Sequence, residues 1–184
     1  MKINFLNNIR FNIQRVNRLL QVNRISDIVW NDLIKMIKKT GLPYKQYDNE
    51  KYIETNVSSE KECLMKFRYE ITNKKLLIKA IFLSGFDVGK TYDIMILSSH
   101  LNSLLNFGVV RVNTNGNYVQ YDYSGDLLLY YLYSGEIHSD ITRHFDIIEE
   151  CLWAFNYMLN TGNDPVFVIA ELLKRNEQKN TEKK

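Results

Sequence analysis

Apolar residues recur every three or four positions in four stretches of the chain, which is the spacing of one face of an α-helix. These stretches cover residues 3–20, 28–37, 94–105 and 141–159. The second helix is expected to end at Gly41, because two lysines occupy its last turn and a proline follows shortly. A fifth, shorter helix is predicted over Val166–Lys174, since Asp164-Pro165 supplies an N-cap and a proline at the first helical position.

Other stretches alternate between apolar and polar residues or are continuously apolar, as β-strands are. Six strands are predicted: Lys51–Val57, Cys63–Ile71, Leu76–Leu83, Val109–Asn113, Tyr118–Tyr123 and Leu127–Tyr133. Short turns separate the later strands of each group of three, at residues 73–75, at Asn115-Gly116 and at Gly125-Asp126. Neighbouring strands are therefore expected to be antiparallel.

The rest of the chain is expected to pack around the stretch from Leu127 to Asn163. Its strand, Leu127–Tyr133, is apolar or aromatic on both faces. Such a strand is either central in a covered sheet or available to a partner. The helix that follows opens at Ser139-Asp140 and carries one apolar stripe from Ile141 to Leu159.

This order of elements, α-βββ-α-βββ-α, predicts an α+β fold. Its antiparallel sheet has about six strands in two three-stranded meanders, with the helices mainly on one face. Three parts of the chain are distinguished: a basic amphipathic N-terminal helix over residues 1–24, a single α+β domain over residues 25–174, and a charged flexible tail over residues 175–184.

Charge is concentrated in the N-terminal segment. The chain has a net charge of +3, yet residues 1–26 hold five basic residues and no acid. The remaining 19 bases and 21 acids leave a net charge of −2 on residues 27–184. Two interpretations stay open for residues 1–24. Their apolar stripe packs on the body or on another subunit, or their arginines contact nucleic acid or a membrane surface.

Cytoplasmic localisation is expected, because the first twenty residues do not form a signal peptide and no apolar run has the ~20 residues that a transmembrane helix needs. Cys63 and Cys151 are interpreted as small buried apolar residues in a reducing compartment.

Three patterns resemble catalytic, cofactor or metal sites, but none of them predicts such a site. Gly85–Thr91 resembles a phosphate-binding loop, but only three residues separate its glycines where such a loop has four. His144 and Cys151 could share a helix face, but they supply two ligands where structural zinc needs four, and Asp140 is the expected partner of His144. Glu149 and Glu150 could be mistaken for a catalytic pair of carboxylates, but adjacent helical residues point about 100° apart, so the two do not face one substrate. The chain is therefore not expected to be an enzyme.

Tyrosines are concentrated in the two predicted strands before the long helix. One interpretation is cross-strand aromatic packing beneath the helices. The other is an exposed face that binds a partner, because tyrosine combines an apolar ring with a hydrogen-bonding tip. The second interpretation predicts a set of partner-binding residues: Tyr121, Tyr123, Leu129, Tyr131, Tyr133 and Phe145.

Several segments carry a resemblance to a known family. These are Leu101–Gly108, Tyr121–Tyr131, Gly41–Tyr44, and Leu159–Pro165 with Ile169–Leu173 after it. Over residues 27–174 the chain resembles the YbjN-like family, a group of bacterial proteins assigned to the regulation of sensory transduction. The resemblance implies a type III secretion chaperone-like fold, a chaperone-like protein-binding role and self-association, and it supplies no catalytic residues.

Two hypotheses on function follow. The first is a non-enzymatic, chaperone-like protein-binding module, without cofactors, that binds a protein client or a second subunit; a homodimer is expected. The alternative is a nucleic-acid or membrane-surface adaptor that acts through Lys2, Arg10, Arg15 and Arg18.

Overall fold

The computed structural model describes residues 24–58, 64–72 and 74–182 of the chain. The predicted basic helix over residues 1–24 falls outside these ranges except for Arg24, as does Cys63. The described helices are α1 (Ile25–Thr40), α2 (Thr91–Leu104), α3 (Leu127–Leu132), α4 (Gly135–Thr161) and α5 (Pro165–Glu182). The strands are β1 (Tyr44–Tyr47), β2 (Tyr52–Ser58), β3 (Leu64–Thr72), β4 (Lys75–Ser84), β5 (Val109–Asn113) and β6 (Tyr118–Asp126).

The six strands form one antiparallel sheet in the order β1-β2-β3-β4-β6-β5. The predicted class, α+β with a six-stranded antiparallel sheet, is confirmed. The predicted division into two three-stranded meanders is wrong. The first four strands form one meander, and the β5–β6 hairpin joins it because β6 pairs with β4.

One face of the sheet is buried, and the helices pack on it, as predicted. In β3 and β4 the buried residues alternate: Met65, Phe67, Tyr69, Ile71, Leu76, Ile78, Ala80 and Phe82. The long helix α4 packs on this face through two aromatic contacts. The ring of Phe145 lies 5.9 Å from that of Phe67, and the ring of Phe155 lies 5.8 Å from that of Phe82. These side chains join α4 to the middle of the sheet.

The predicted strand Leu127–Tyr133 is wrong, because Leu127–Leu132 is helix α3. The Asp126 carboxylate accepts a hydrogen bond of 2.8 Å from the Leu128 N–H and so caps the helix. The predicted turn at Gly125-Asp126 is wrong for the same reason, since both residues belong to β6. Residues 127, 130 and 131 are buried, which is the spacing of a helix face.

Two further elements differ from the sequence prediction. Strand β1 was not predicted, because its four residues alternate weakly and are mostly half-buried. Helix α5 was predicted to end at Lys174 before a flexible tail, but it continues to Glu182. The predicted stop of α1 at Gly41 is confirmed, because Gly41 has a φ of 71°, the left-handed conformation that ends many helices.

Hydrogen bonds define which loops share an end of the sheet. At one end, the Ile71 N–H donates to the Lys51 carbonyl and the Leu127 N–H donates to the Lys74 carbonyl, each over 2.9 Å. This end, which we call the α3 end, holds the β1–β2 and β3–β4 turns and the start of α3. At the other end, the Gly85 N–H donates to the Asn117 carbonyl over 2.8 Å. We call this the hairpin end, because it holds the β5–β6 turn.

The long helix α4 connects the two ends. Near its start, Asp140 accepts a hydrogen bond from Tyr130 of α3, and further along Phe155 packs on Phe82 near the end of β4. Helix α5 follows α4 after three residues and so begins at the hairpin end. Helix α2 follows β4 and begins there too. The first turns of α2 and α5, two helices that pack together, therefore lie at the same end of the molecule.

Both edges of the sheet are protected against pairing with another strand. The Asn102 side chain of α2 accepts from the Val110 N–H over 2.7 Å and donates to the Val110 carbonyl over 2.9 Å. It thus occupies the backbone groups that β5 turns away from β6. At the other edge, β1 has four residues, one of them Lys45. Short strands and lysines are the usual defence of a sheet edge.

Replacing Asn102 tests the protection of the β5 edge. Asn102→Ala leaves the N–H of the buried Val110 without its acceptor, so we expect the free energy of unfolding to fall by about 1–3 kcal/mol. Ser99→Ala, at an exposed position of the same helix, is the matched control and should change it by less than about 0.5 kcal/mol. Urea denaturation measures both; equal stabilities would contradict the assigned role of Asn102.

Candidate functional site

The sequence-predicted partner-binding residues do not form one surface. Tyr121 and Tyr131 are completely buried, and Tyr123, Tyr133 and Phe145 are half-buried. Leu129 alone among the six is exposed, at 43%. The alternation assumed for Tyr131 and Tyr133 fails because these residues belong to α3 and its end rather than to a strand. Most of this aromatic set packs in the core of the chain.

The buried aromatic residues surround a polar cluster between β6 and α4. The Tyr121 hydroxyl lies 2.6 Å from His144 Nδ1 and donates to the Phe107 carbonyl over 3.0 Å. The direction of the Tyr121–His144 bond depends on the imidazole tautomer, and either direction links the two side chains. The His144 ring also lies 3.9 Å from the Tyr123 ring. The neutral imidazole thus joins α4 to β6.

Asp140, one turn before His144, holds the second part of this cluster. Its carboxylate accepts from the Tyr130 hydroxyl over 2.6 Å, from Tyr123 over 3.4 Å and from the Arg143 guanidinium over 2.9 Å. The expected pairing of Asp140 with His144 on the helix surface is therefore wrong, since both are buried and bind other groups. Arg143 extends the cluster toward solvent, where its guanidinium lies 5.0 Å from the ring of Phe107.

Two glycines make room for the tyrosine hydroxyls. A Cβ at Gly108 would lie 2.1 Å from the Tyr121 hydroxyl oxygen, and one at Gly125 would lie 2.2 Å from that of Tyr130. Gly108 also has a φ of 71°, which other residues rarely adopt. The backbone thus approaches both rings more closely than any other residue would permit.

Burial shifts the pKa of four side chains in and beside the cluster. It lowers the pKa of His144 to about 4, and it raises the pKa of Cys151 to about 12. The pKa values of Tyr121 and Tyr130 are also raised, first by burial and in Tyr130 also by its bond to Asp140. A thiol protonated at neutral pH is a weak nucleophile. His144, Tyr121 and Tyr130 therefore act as neutral hydrogen-bonding side chains, and Cys151 is a buried thiol that is 2% exposed.

The glycine-containing loop at residues 85–91 uses one of its backbone amides for a hydrogen bond within the loop. The Gly89 N–H donates to the Asp87 carboxylate over 3.0 Å, so this amide is satisfied within the loop.

In the part of the chain that the structure describes, no three histidine, cysteine, aspartate or glutamate side chains come together as metal ligands. None of the described helices is both long and apolar enough to span a membrane.

Several exposed apolar side chains lie at the hairpin end instead. They belong to the first five residues of α2, to the first turn of α5 and to the 3-10 turn before α2. We call them the apolar end: Val88, Tyr92, Met95, Val166 and Phe167. Tyr92 is 74% exposed and Val88 68%, more than any other large apolar side chain in the described ranges. Groups of exposed apolar side chains are a common mark of protein interaction sites in soluble proteins.

Sequence reasoning missed the apolar end because it assigned each helix a single buried stripe. Of the stripe predicted for α2, Ile94, Leu97 and Leu101 are buried, whereas Leu104 is 43% exposed and Leu105, just after the helix, is half-buried. Residues 88, 92 and 95 are also separated by four and three positions, so they form a second apolar stripe on the same segment. A second stripe on one helix is the signal that would have indicated this surface.

Comparisons with known proteins find similarity in structure and none in sequence. No protein-family model matches the chain, and no characterised protein matches it in sequence. Among solved structures, the chain is similar to the crystal structure of YbjN from E. coli, with 10% identity and a TM-score of 0.49. The match covers 70% of this chain and 92% of that one. Similarity at this level assigns neither family nor function, so membership of the YbjN-like family stays a prediction.

The close approach of Gly125 to Tyr130 can be tested by adding one methyl group. Gly125→Ala should lower the free energy of unfolding by roughly 1–3 kcal/mol, because the Tyr130 ring must leave its bond to Asp140. Gly135→Ala is the control, since a Cβ there meets no atom within 4 Å. Thermal denaturation of both variants measures the difference. An equal loss in the two would show that the Tyr130 contact does not limit residue 125.

The buried His144 predicts a specific acid sensitivity. Its folded pKa of about 4 lies below the unfolded value of 6.5, so only the unfolded state gains a proton as the pH falls between these values. Stability is complete above pH 6.5 and declines toward pH 4, where this one group accounts for about 3 kcal/mol. His144→Gln should lack this part of the decline in urea denaturation across the pH range. Parallel pH profiles of the two proteins would refute the prediction.

Proposed function

We propose that this chain is a non-enzymatic, chaperone-like protein-binding module whose binding surface is the apolar end. The observation that carries the proposal is the exposure of five large apolar side chains at one end of the fold, two of them aromatic. Aromatic side chains and methionine are enriched at the centres of protein interfaces. The polar cluster supports the same conclusion, because Asp140 and His144 are buried and bind tyrosine hydroxyls of the fold rather than opening to a substrate.

The protected edges of the sheet indicate that a client is bound through side chains rather than by adding a strand to the sheet. Asn102 occupies the outward backbone groups of β5 at Val110, and β1 offers four residues. Strand addition is therefore disfavoured at both edges. The apolar end instead offers side chains from two helices, which suit an apolar segment of a client protein. We infer that side-chain burial supplies the affinity for this client.

Binding of an unfolded protein tests this proposal. The probe is fluorescently labelled, reduced and carboxymethylated α-lactalbumin, a chain that cannot refold, and fluorescence anisotropy measures its affinity. Tyr92→Asp with Phe167→Asp should weaken binding by roughly tenfold or more, because two exposed contact residues become charged. Both positions lie in the first turn of a helix, where aspartate is compatible with the helix dipole.

The matched control is Leu128→Asp with Leu129→Asp, at the opposite end of the fold. These side chains are 46% and 43% exposed and also belong to the first turn of a helix. The control should bind the probe as the unchanged chain does. Loss of binding in the control alone would instead assign the surface to the sequence-predicted residue Leu129, and unchanged binding in both variants would refute the proposed function.

A further inference from the structure

The segments that bear the apolar end have a net negative charge. Three carboxylates, those of Asp87, Asp93 and Asp164, and one ammonium group, that of Lys90, belong to the segments that bear it. This leaves two net negative charges beside the apolar side chains. Asp87 and Asp164 accept hydrogen bonds from the backbone N–H groups of Gly89 and Val166, which fixes both carboxylates at the starts of the helical segments.

The first 23 residues of the chain have the opposite character. Their sequence carries apolar residues three or four positions apart: Ile3, Leu6, Ile9, Ile13, Val16 and Leu20. Lys2, Arg10, Arg15 and Arg18 lie between them, and the first acid of the chain is Asp27. This segment is complementary to the apolar end in both hydrophobicity and charge.

The position of the start of α1 indicates whether this segment can reach the apolar end of its own chain or only that of a second copy. Lys51 donates to the Ser26 hydroxyl over 2.8 Å and to the Asp27 carboxylate over 2.6 Å, so α1 begins at the α3 end. Strand β4 has 10 residues and separates the two ends by about 33 Å. The apolar spacing of the segment predicts a helix, and 20 helical residues span about 30 Å. From its own chain, only the first residues would reach the apolar end.

We propose that the apolar end binds residues 1–23 of a second copy of this chain, so that two copies exchange their N-terminal segments around a two-fold axis. This inference rests on the proposed function, because it names a partner for the same surface. Reciprocal exchange closes the assembly at two copies. It also places the segment in competition with a client protein, so the dimer is the form in which the surface is covered.

Light scattering of the full chain tests the exchange. The unchanged chain should be a dimer, and Tyr92→Asp with Phe167→Asp should make it a monomer. Leu128→Asp with Leu129→Asp should leave the dimer intact. An excess of a synthetic peptide of residues 1–23 should convert the dimer to monomers with bound peptide. A peptide that carries Arg10→Glu, Arg15→Glu and Arg18→Glu should bind at least tenfold more weakly in an anisotropy titration.

A full chain that is monomeric, or a dimer that the peptide leaves unchanged, would overturn the exchange. So would a dimer that separates only in the control variant. These outcomes are distinct from failure of the proposed function. A chain that binds unfolded α-lactalbumin at the apolar end but not the peptide contradicts the exchange alone, whereas a chain that binds neither contradicts both.

Discussion

The Asp140 carboxylate is the group on which the packing of the helices over the sheet depends most. It is 4% exposed and accepts hydrogen bonds from Tyr130 of α3 and from Arg143 of its own helix. A buried carboxylate is costly unless such partners surround it. Its partners therefore fix the positions of α3 and α4 relative to β6. With His144 bound to Tyr121 one turn later, two consecutive turns of α4 are joined to neighbouring elements through tyrosine hydroxyls.

This use of tyrosine in the core decides where a partner can bind. A tyrosine whose hydroxyl bonds to a buried carboxylate or imidazole stabilises the fold and is not available at a surface. Tyr121 and Tyr130 are in this position, and two glycines accommodate their rings. Five of the exposed large apolar side chains, including the two most exposed, lie instead at the starts of α2 and α5, which α4 places at the same end of the molecule. Helix α4 thus runs from the buried polar cluster to the hairpin end, and it links the core to the proposed binding surface.

Much of the fold could be predicted from local patterns. The alternation in β3 and the left-handed glycine at residue 41 are local signals, and the structure confirms them. The segment 127–132 could not be assigned by periodicity, because an apolar residue at every position fits a helix and a strand equally. The deciding signal was the preceding Asp126 as an N-cap. The order of the strands could not be predicted either, because the pairing of β6 with β4 depends on contacts between residues that are distant in sequence.

The candidate site could be predicted less well than the fold, because residue type alone does not separate a buried tyrosine from an exposed one. Tyr121 and Tyr92 belong to the same residue type, yet the first is completely buried and the second is 74% exposed. The difference depends on which neighbour covers each ring, and this follows only from the path of α4. A helix with two apolar stripes, as α2 has, is the sequence feature that indicates both a core contact and an exposed apolar face.

Hydrogen–deuterium exchange of the full chain, with and without the unfolded client probe, tests the central claim most directly. Because the claim places the client on the first turns of α2 and α5, the amides of residues 88–95 and 166–169 should exchange more slowly in the complex. The amides of α3 at the opposite end should be unchanged. Slower exchange confined to α3, or to the outer edge of β1, would contradict the account.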